Sequence, residues 1–106
     1  MKMVFIEATL FSKYLQDYLD EEEYREMQNH LIEQPDAGSL IQGTGGLRKL
    51  RWQLGNKGKR GGVRVIYYWQ IAEDQIYFFT LYAKNEASDL SSEEKKVLKK
   101  MLGNWK

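Results

Sequence analysis

Apolar residues recur along this chain in two rhythms. Between positions 9 and 33 they return with the period of a helix, and between 47 and 82 they crowd into short runs split by glycines and turns. Met3-Val4-Phe5-Ile6 predicts a first strand. Leu10, Phe11, Tyr14, Leu15, Tyr18 and Leu19 then form one stripe at a period of about 3.6 residues, which predicts a helix that Thr9 can cap. Tyr24, Met27, Leu31 and Ile32 supply the apolar face of a second helix, which Pro35 stops. Asp20 is a good cap for it, and Glu21, Glu22 and Glu23 suit its positive N-terminal end. The acidic run therefore reads as a helix start rather than as a metal or catalytic carboxylate cluster.

Eight of the nine glycines lie between Gly38 and Gly62 and punctuate the second half of the fold. Gly43-Thr44-Gly45-Gly46 leads into a strand over 47–54, a basic glycine-rich loop covers 55–62, and 63–71 is a strand dense in β-branched and aromatic residues. Glu73-Asp74 turns the chain into a further strand over 76–82. Ser91 and Glu94 match a capping box, opening a last helix with Val97, Leu98, Met101, Leu102 and Trp105 on one face. The order β-α-α-β-β-β-α predicts one α+β domain over 1–106, an antiparallel meander with helices covering its apolar face. No repeat or linker divides it.

Composition narrows the chemistry. The 106 residues suffice for one core, and 42% hydrophobic content suits a folded chain. Without cysteine there is no thiol nucleophile, disulfide framework or thiolate zinc site. The N-terminal apolar run is too short for a signal peptide and Glu7 interrupts it, and no segment approaches membrane-spanning length. A cytoplasmic protein with no membrane partner is expected.

The net charge of +1 hides a strong asymmetry. Residues 1–36 hold nine acids against three bases, and residues 73–106 hold six of each. Between them, residues 37–72 hold no acid and seven bases: Arg48, Lys49, Arg51, Lys57, Lys59, Arg60 and Arg64. This points to a polyanionic partner for the middle third, the plain alternative being a solvated basic surface.

Other candidate chemistry recedes. Gly43-Thr44-Gly45-Gly46 has no Gly-Lys-Ser/Thr ending and leads into a strand rather than a helix, so it is a turn and not a phosphate loop. His30, the one histidine, has no candidate nucleophile near it in sequence and reads as a surface or boundary residue. No clustered His and acid ligands suggest a metal, and no cofactor is implied. Tyr67, Tyr68, Trp69, Tyr77, Phe78 and Phe79 are first of all sheet core, with base stacking the sharper alternative for one of them.

Strand alternation gives the cations an address. Lys49 and Arg51 point to one face while Leu50, Trp52 and Leu54 point to the other, and Arg64 shares a face with Ile66 and Tyr68. Antiparallel pairing can bring Lys84, after the last strand, beside Arg64, with Arg51 approaching from the other side. Such a gathering is repulsive unless an anion fills it, as an RNA phosphate would.

Taken together, Gly43-Thr44-Gly45-Gly46-Leu47-Arg48-Lys49-Leu50-Arg51, Gly58-Lys59-Arg60-Gly61-Gly62-Val63-Arg64 and Leu81-Tyr82-Ala83-Lys84-Asn85-Glu86 resemble the HigB branch of the RelE/ParE toxin superfamily. The resemblance covers essentially the whole chain. It implies the toxin of a type II toxin–antitoxin system, a ribosome-dependent endoribonuclease that halts translation by cutting mRNA in the ribosomal A site. The 2′-hydroxyl attacks its own 3′ phosphate, and no metal is used. The implied partners are the ribosome, mRNA and a cognate HigA-like helix-turn-helix antitoxin, with operator DNA reached only through the antitoxin complex.

By position, the resemblance gives Arg64 the scissile phosphate, Lys49 or Arg51 the role of general base, and Lys84 a further catalytic role. Arg48, Lys57, Lys59, Arg60 and Asn85 are expected to contact RNA or the ribosome. Two departures stand out. Asn85 replaces an arginine, and Ser91 stands where some members carry a tyrosine, so neither the acid for the leaving oxygen nor the base-stacking partner is assigned. Two other functions fit the basic middle: a ParE-like gyrase inhibitor and a non-catalytic RNA- or ribosome-binding module.

Overall fold

A computed structural model describes residues 2–53, 62–83 and 90–105. Its elements are β1 (Val4–Glu7), α1 (Thr9–Tyr18), α2 (Glu21–Glu33), β2 (Ser39–Leu40), β3 (Arg48–Trp52), β4 (Val63–Gln70), β5 (Gln75–Ala83) and α3 (Ser92–Trp105). A single 3-10 turn, Ile71–Glu73, links β4 to β5, and Asp74 closes it in the left-handed conformation.

The expected meander exists as β3, β4 and β5, but the sheet around it is mixed, with order β1-β5-β4-β3-β2. β1 runs parallel to β5, from Val4 opposite Gln75 to Glu7 opposite Phe78. It fills an edge of β5 that would otherwise stand unpaired. At the far edge β2 pairs Ser39 with Lys49 and Leu40 with Arg48. Two residues are too few to leave a periodic trace in the sequence, which is why this strand was not foreseen.

Helices cover both faces rather than one. Phe11 of α1, Leu19, and Met27 and Leu31 of α2 pack on Leu50, Val63, Val65, Tyr67, Ile76, Phe78 and Leu81. On the opposite face Leu98 and Leu102 of α3 close over Leu47, Ile66 and Phe79. The central strand is thus buried on both sides from Val63 to Tyr67. A bulge in β5 makes this possible. Ile66 lies opposite Thr80 but Tyr67 lies opposite Phe78, leaving Phe79 as the extra residue. It turns toward α3 and lets Leu81 return to the first core.

The helix starts follow from local chemistry. Asp20 accepts from the Glu23 backbone at 2.8 Å while Glu23 accepts from the Asp20 backbone at 2.9 Å. Ser91 and Glu94 form the same reciprocal pair at 3.1 and 2.8 Å. Thr9 does not cap α1. Ala8 holds the capping position without a side-chain bond, and Glu7 instead accepts from Ser12 at 2.6 Å and from Tyr24 at 2.7 Å. Leu10, Tyr14, Ile32 and Val97, expected on buried faces, remain exposed because each apolar stripe is wider than the contact it meets. His30 is a boundary residue, its ring tilted against Trp52 at 5.6 Å.

One buried hydroxyl secures the link between α2 and β2. Tyr67 donates to the Pro35 carbonyl at 2.7 Å and accepts from the Gly38 backbone at 2.9 Å. Arg48 adds bonds to the carbonyls of Gly38 at 2.8 Å and Asp36 at 3.2 Å. Burial pushes the Tyr67 phenol above its ordinary value of 10.0, so it remains a neutral donor and its contribution is lost only in alkali beyond that value. Tyr67→Phe leaves the buried Gly38 N–H and the part-buried Pro35 carbonyl without their partner. It is expected to cost about 1–3 kcal/mol in urea unfolding, and an unchanged midpoint would show the link to be held elsewhere.

Candidate nucleic-acid interface

The position of the cations begins with Gly62. It has φ +97°, and a Cβ there would lie 2.2 Å from the Trp52 carbonyl oxygen. Only a residue without a side chain lets the chain re-enter the sheet this close to the end of β3. From that point the β3–β4 register places Arg51 directly opposite Arg64, Lys49 opposite Ile66 and Arg48 opposite Tyr67.

Two arginines therefore face each other across neighbouring strands, where like charges destabilise a sheet. Arg64 is 7% exposed, and Thr44 is the other buried polar residue among those described. The contrast between them is chemical. The Thr44 hydroxyl is satisfied, donating to the Ile41 carbonyl at 2.7 Å and accepting from the Leu47 backbone at 3.2 Å. The Arg64 guanidinium makes no hydrogen bond or ion pair with another described residue, and none of its nitrogens is among the fully enclosed, unsatisfied polar atoms. Its stem is packed while its guanidinium is not sealed off from solvent. Such a group is prepared for an anionic oxygen.

Of the residues singled out from sequence, Lys49, Arg51 and Arg64 share one sheet face, the face that also carries Ile66. Arg51 is exposed and Lys49 is half-buried. Arg48 does not join them. It lies opposite Tyr67, on the other face of the sheet, and its guanidinium donates to the carbonyls of Gly38 and Asp36 in the α2–β2 link. β5 ends at Ala83, opposite Val63, so the chain leaves the sheet at the Arg64 end. Lys57, Lys59, Arg60, Lys84 and Asn85 lie outside the described residues. Ser91 is used in capping α3.

One neighbour of the cations was not anticipated. Tyr82 lies opposite Arg64 on the side away from Arg51. Counting back from the β4–β5 turn would put Leu81 there, and the extra residue Phe79 shifts the partner by one. Tyr82 also lines an apolar groove of about 380 Å³ with Leu10, Thr80, Leu90, Val97 and Leu98. Among the described residues no three His, Asp or Glu side chains come together as metal ligands.

A family model described as the RelE toxin of the RelE/RelB toxin–antitoxin system matches residues 26–106. The fold is also found in the crystal structure of the intact E. coli RelBE toxin–antitoxin complex. There the TM-score is 0.56 at 13% identity, over 76% of this chain and 94% of that one. The archaeal RelE–RelB complex from Pyrococcus horikoshii OT3 matches with a TM-score of 0.51 at 26% identity, over 82% of this chain and all of the other, 100%.

Proposed function

Because the chain belongs to the RelE toxin family, we propose that it is a ribosome-dependent endoribonuclease that stops translation by cutting mRNA, of the HigB-like kind. RelE family toxins act as endoribonucleases. The observation that carries the reading for this chain is the Arg51–Arg64 cross-strand pair, with Arg64 packed along its stem and unpartnered among the described residues. A phosphodiester supplies the negative charge this arrangement lacks.

In the proposed reaction the 2′-hydroxyl oxygen attacks the adjacent phosphorus and gives up its proton, and the bond to the 5′ oxygen breaks as that oxygen gains one. The products are a 2′,3′-cyclic phosphate and a free 5′-hydroxyl. Arg64 and Arg51 hold the phosphorane oxygens, since arginine keeps its charge and is a poor base. Lys49, on the same face, is the described residue suited to exchange a proton, and Lys84 is its counterpart outside the described segments. Acid–base help of about 10²- to 10⁴-fold per group leaves much of the rate to positioning, which accounts for reliance on the ribosome to hold the message.

The antitoxin-bound state of both structural neighbours supports a cognate antitoxin for this chain too. We assign it to the helix-turn-helix, HigA-like class, with operator DNA bound only through the complex, and we place the toxin in the cytoplasm. Primer extension on one abundant message during brief expression is the decisive test. Discrete new 5′ ends with arrested translation are expected. Arrested DNA synthesis on intact messages would mean a gyrase inhibitor, and arrest without new ends a non-catalytic ribosome binder.

The loop cations contribute docking in this scheme. Neutralising Lys57, Lys59 and Arg60 together is expected to weaken ribosome binding and to lower its log–log salt slope by about 2–3, close to one unit for each phosphate that is no longer neutralised. Equal slopes for variant and wild type would make the loop a solvated surface.

A further inference from the structure

The last helix carries a charge pattern that neither its packing nor the sheet cations account for. Its acids, Glu93 and Glu94, fall in the first turn, and from residue 95 to residue 105 there are four lysines and no acid. Leu98 and Leu102 are buried and Met101 and Trp105 half-buried against the sheet. At about 100° per residue, Lys96, Lys99 and Lys100 lie on the opposite side, and all three are exposed. α3 covers the sheet face that bears Lys49, Arg51 and Arg64, so its outward side extends the cationic side of the molecule.

A second observation falls on the same spot. Gly103 lies inside α3, three residues after Lys100, four after Lys99 and seven after Lys96, on the same outward face. Glycine weakens a helix interior. Here the fold does not require it, because its φ is not in the left-handed region and a Cβ would meet nothing within 4 Å. A bare patch of helix backbone that continues a row of three exposed lysines suits the close approach of another backbone of opposite charge.

We propose that the outward face of α3, Lys96, Lys99 and Lys100 with Gly103, docks on the phosphate backbone of ribosomal RNA while the sheet cations engage the message. The inference rests on the ribosome-dependent reading above and adds a separate contact to it. It is tested by titrating vacant ribosomes, which hold no message, with the wild-type protein, Gly103→Leu and the triple variant Lys96→Gln, Lys99→Gln, Lys100→Gln at several salt concentrations.

The triple variant is expected to bind about tenfold or more weakly and to lose about 2–3 from the salt slope. Gly103→Leu, with a better helix former, is expected to raise Tm by about 2–4 °C and yet to weaken binding, an opposition that a structural role cannot produce. Wild-type affinity in both variants would overturn docking by α3 and leave mRNA cleavage standing. Failure of the wild-type protein to bind ribosomes would overturn the reading on which the inference rests. A polyglutamate peptide that competes for the wild-type protein as well as a duplex RNA of equal charge would identify an acidic protein partner and overturn RNA docking.

Discussion

Arg64→Ala is expected to abolish growth arrest and message cleavage while the protein stays folded. The guanidinium is the packed member of the cation pair, and its donors have no competing acceptor among the described residues. Removing one charge-assisted hydrogen bond to a phosphate oxygen in the transition state costs about 1.5–3 kcal/mol, or roughly 10- to 150-fold in rate, and a fork supplies two. Alanine also empties the volume of a buried stem, so Arg64→Met is the companion variant, keeping the packing without the charge. It should match or exceed wild type in Tm, because Arg51 no longer faces a like charge. Arg64→Lys keeps the charge but not the planar fork and should recover part of the activity. Growth arrest at the wild-type level by soluble, folded Arg64→Met would end the assignment of this residue.

Gly62→Ala is expected to cause the largest loss of stability of any small substitution in the sheet. At φ +97° a methyl group meets left-handed strain of about 1–2 kcal/mol, before its contact at 2.2 Å with the Trp52 carbonyl oxygen is considered. That oxygen belongs to backbone fixed by the pairing of Trp52 with Val63, so relief requires the β3–β4 ladder to open at the end where Arg51 meets Arg64. A total of about 3 kcal/mol or more is expected, a large part of the 5–15 kcal/mol that holds a domain of about this size together. Thermal or urea unfolding checks it. A Tm within about 2 °C of wild type would mean the turn can relax by another route.

The cation face was legible before the structure because strand alternation is a strict rule. Lys49 and Arg51 are two apart, and Arg64 lies alongside them on the next strand. The three helices and the three meander strands were legible for the same reason, each long enough to show its period. What alternation cannot supply is phase after an irregularity. The single extra residue Phe79 decides that Tyr82, and not Leu81, stands beside Arg64, and no residue type in β5 signals it. Nor can a four-residue apolar run state which edge it will join or in which direction, so the parallel position of β1 was out of reach. Arg48 sits in the same basic run as its neighbours, and only the loop wrapped over the sheet reveals that its donors are already engaged.

The pairing of β1 with β5 also bears on the order in which the sheet assembles. Val4–Glu7 pairs with Gln75–Phe78, a segment far from it along the chain. β4 likewise waits for β5 before its second edge is filled. Contacts so distant in sequence form late, after the entropy of closing the intervening loop has been overcome. The β3–β4 pair that sets Arg51 opposite Arg64 is local by comparison, and it gains its support from β5 and β1 afterwards. The sheet around the cationic face is therefore complete only once β5 has docked along β4 and β1 along β5.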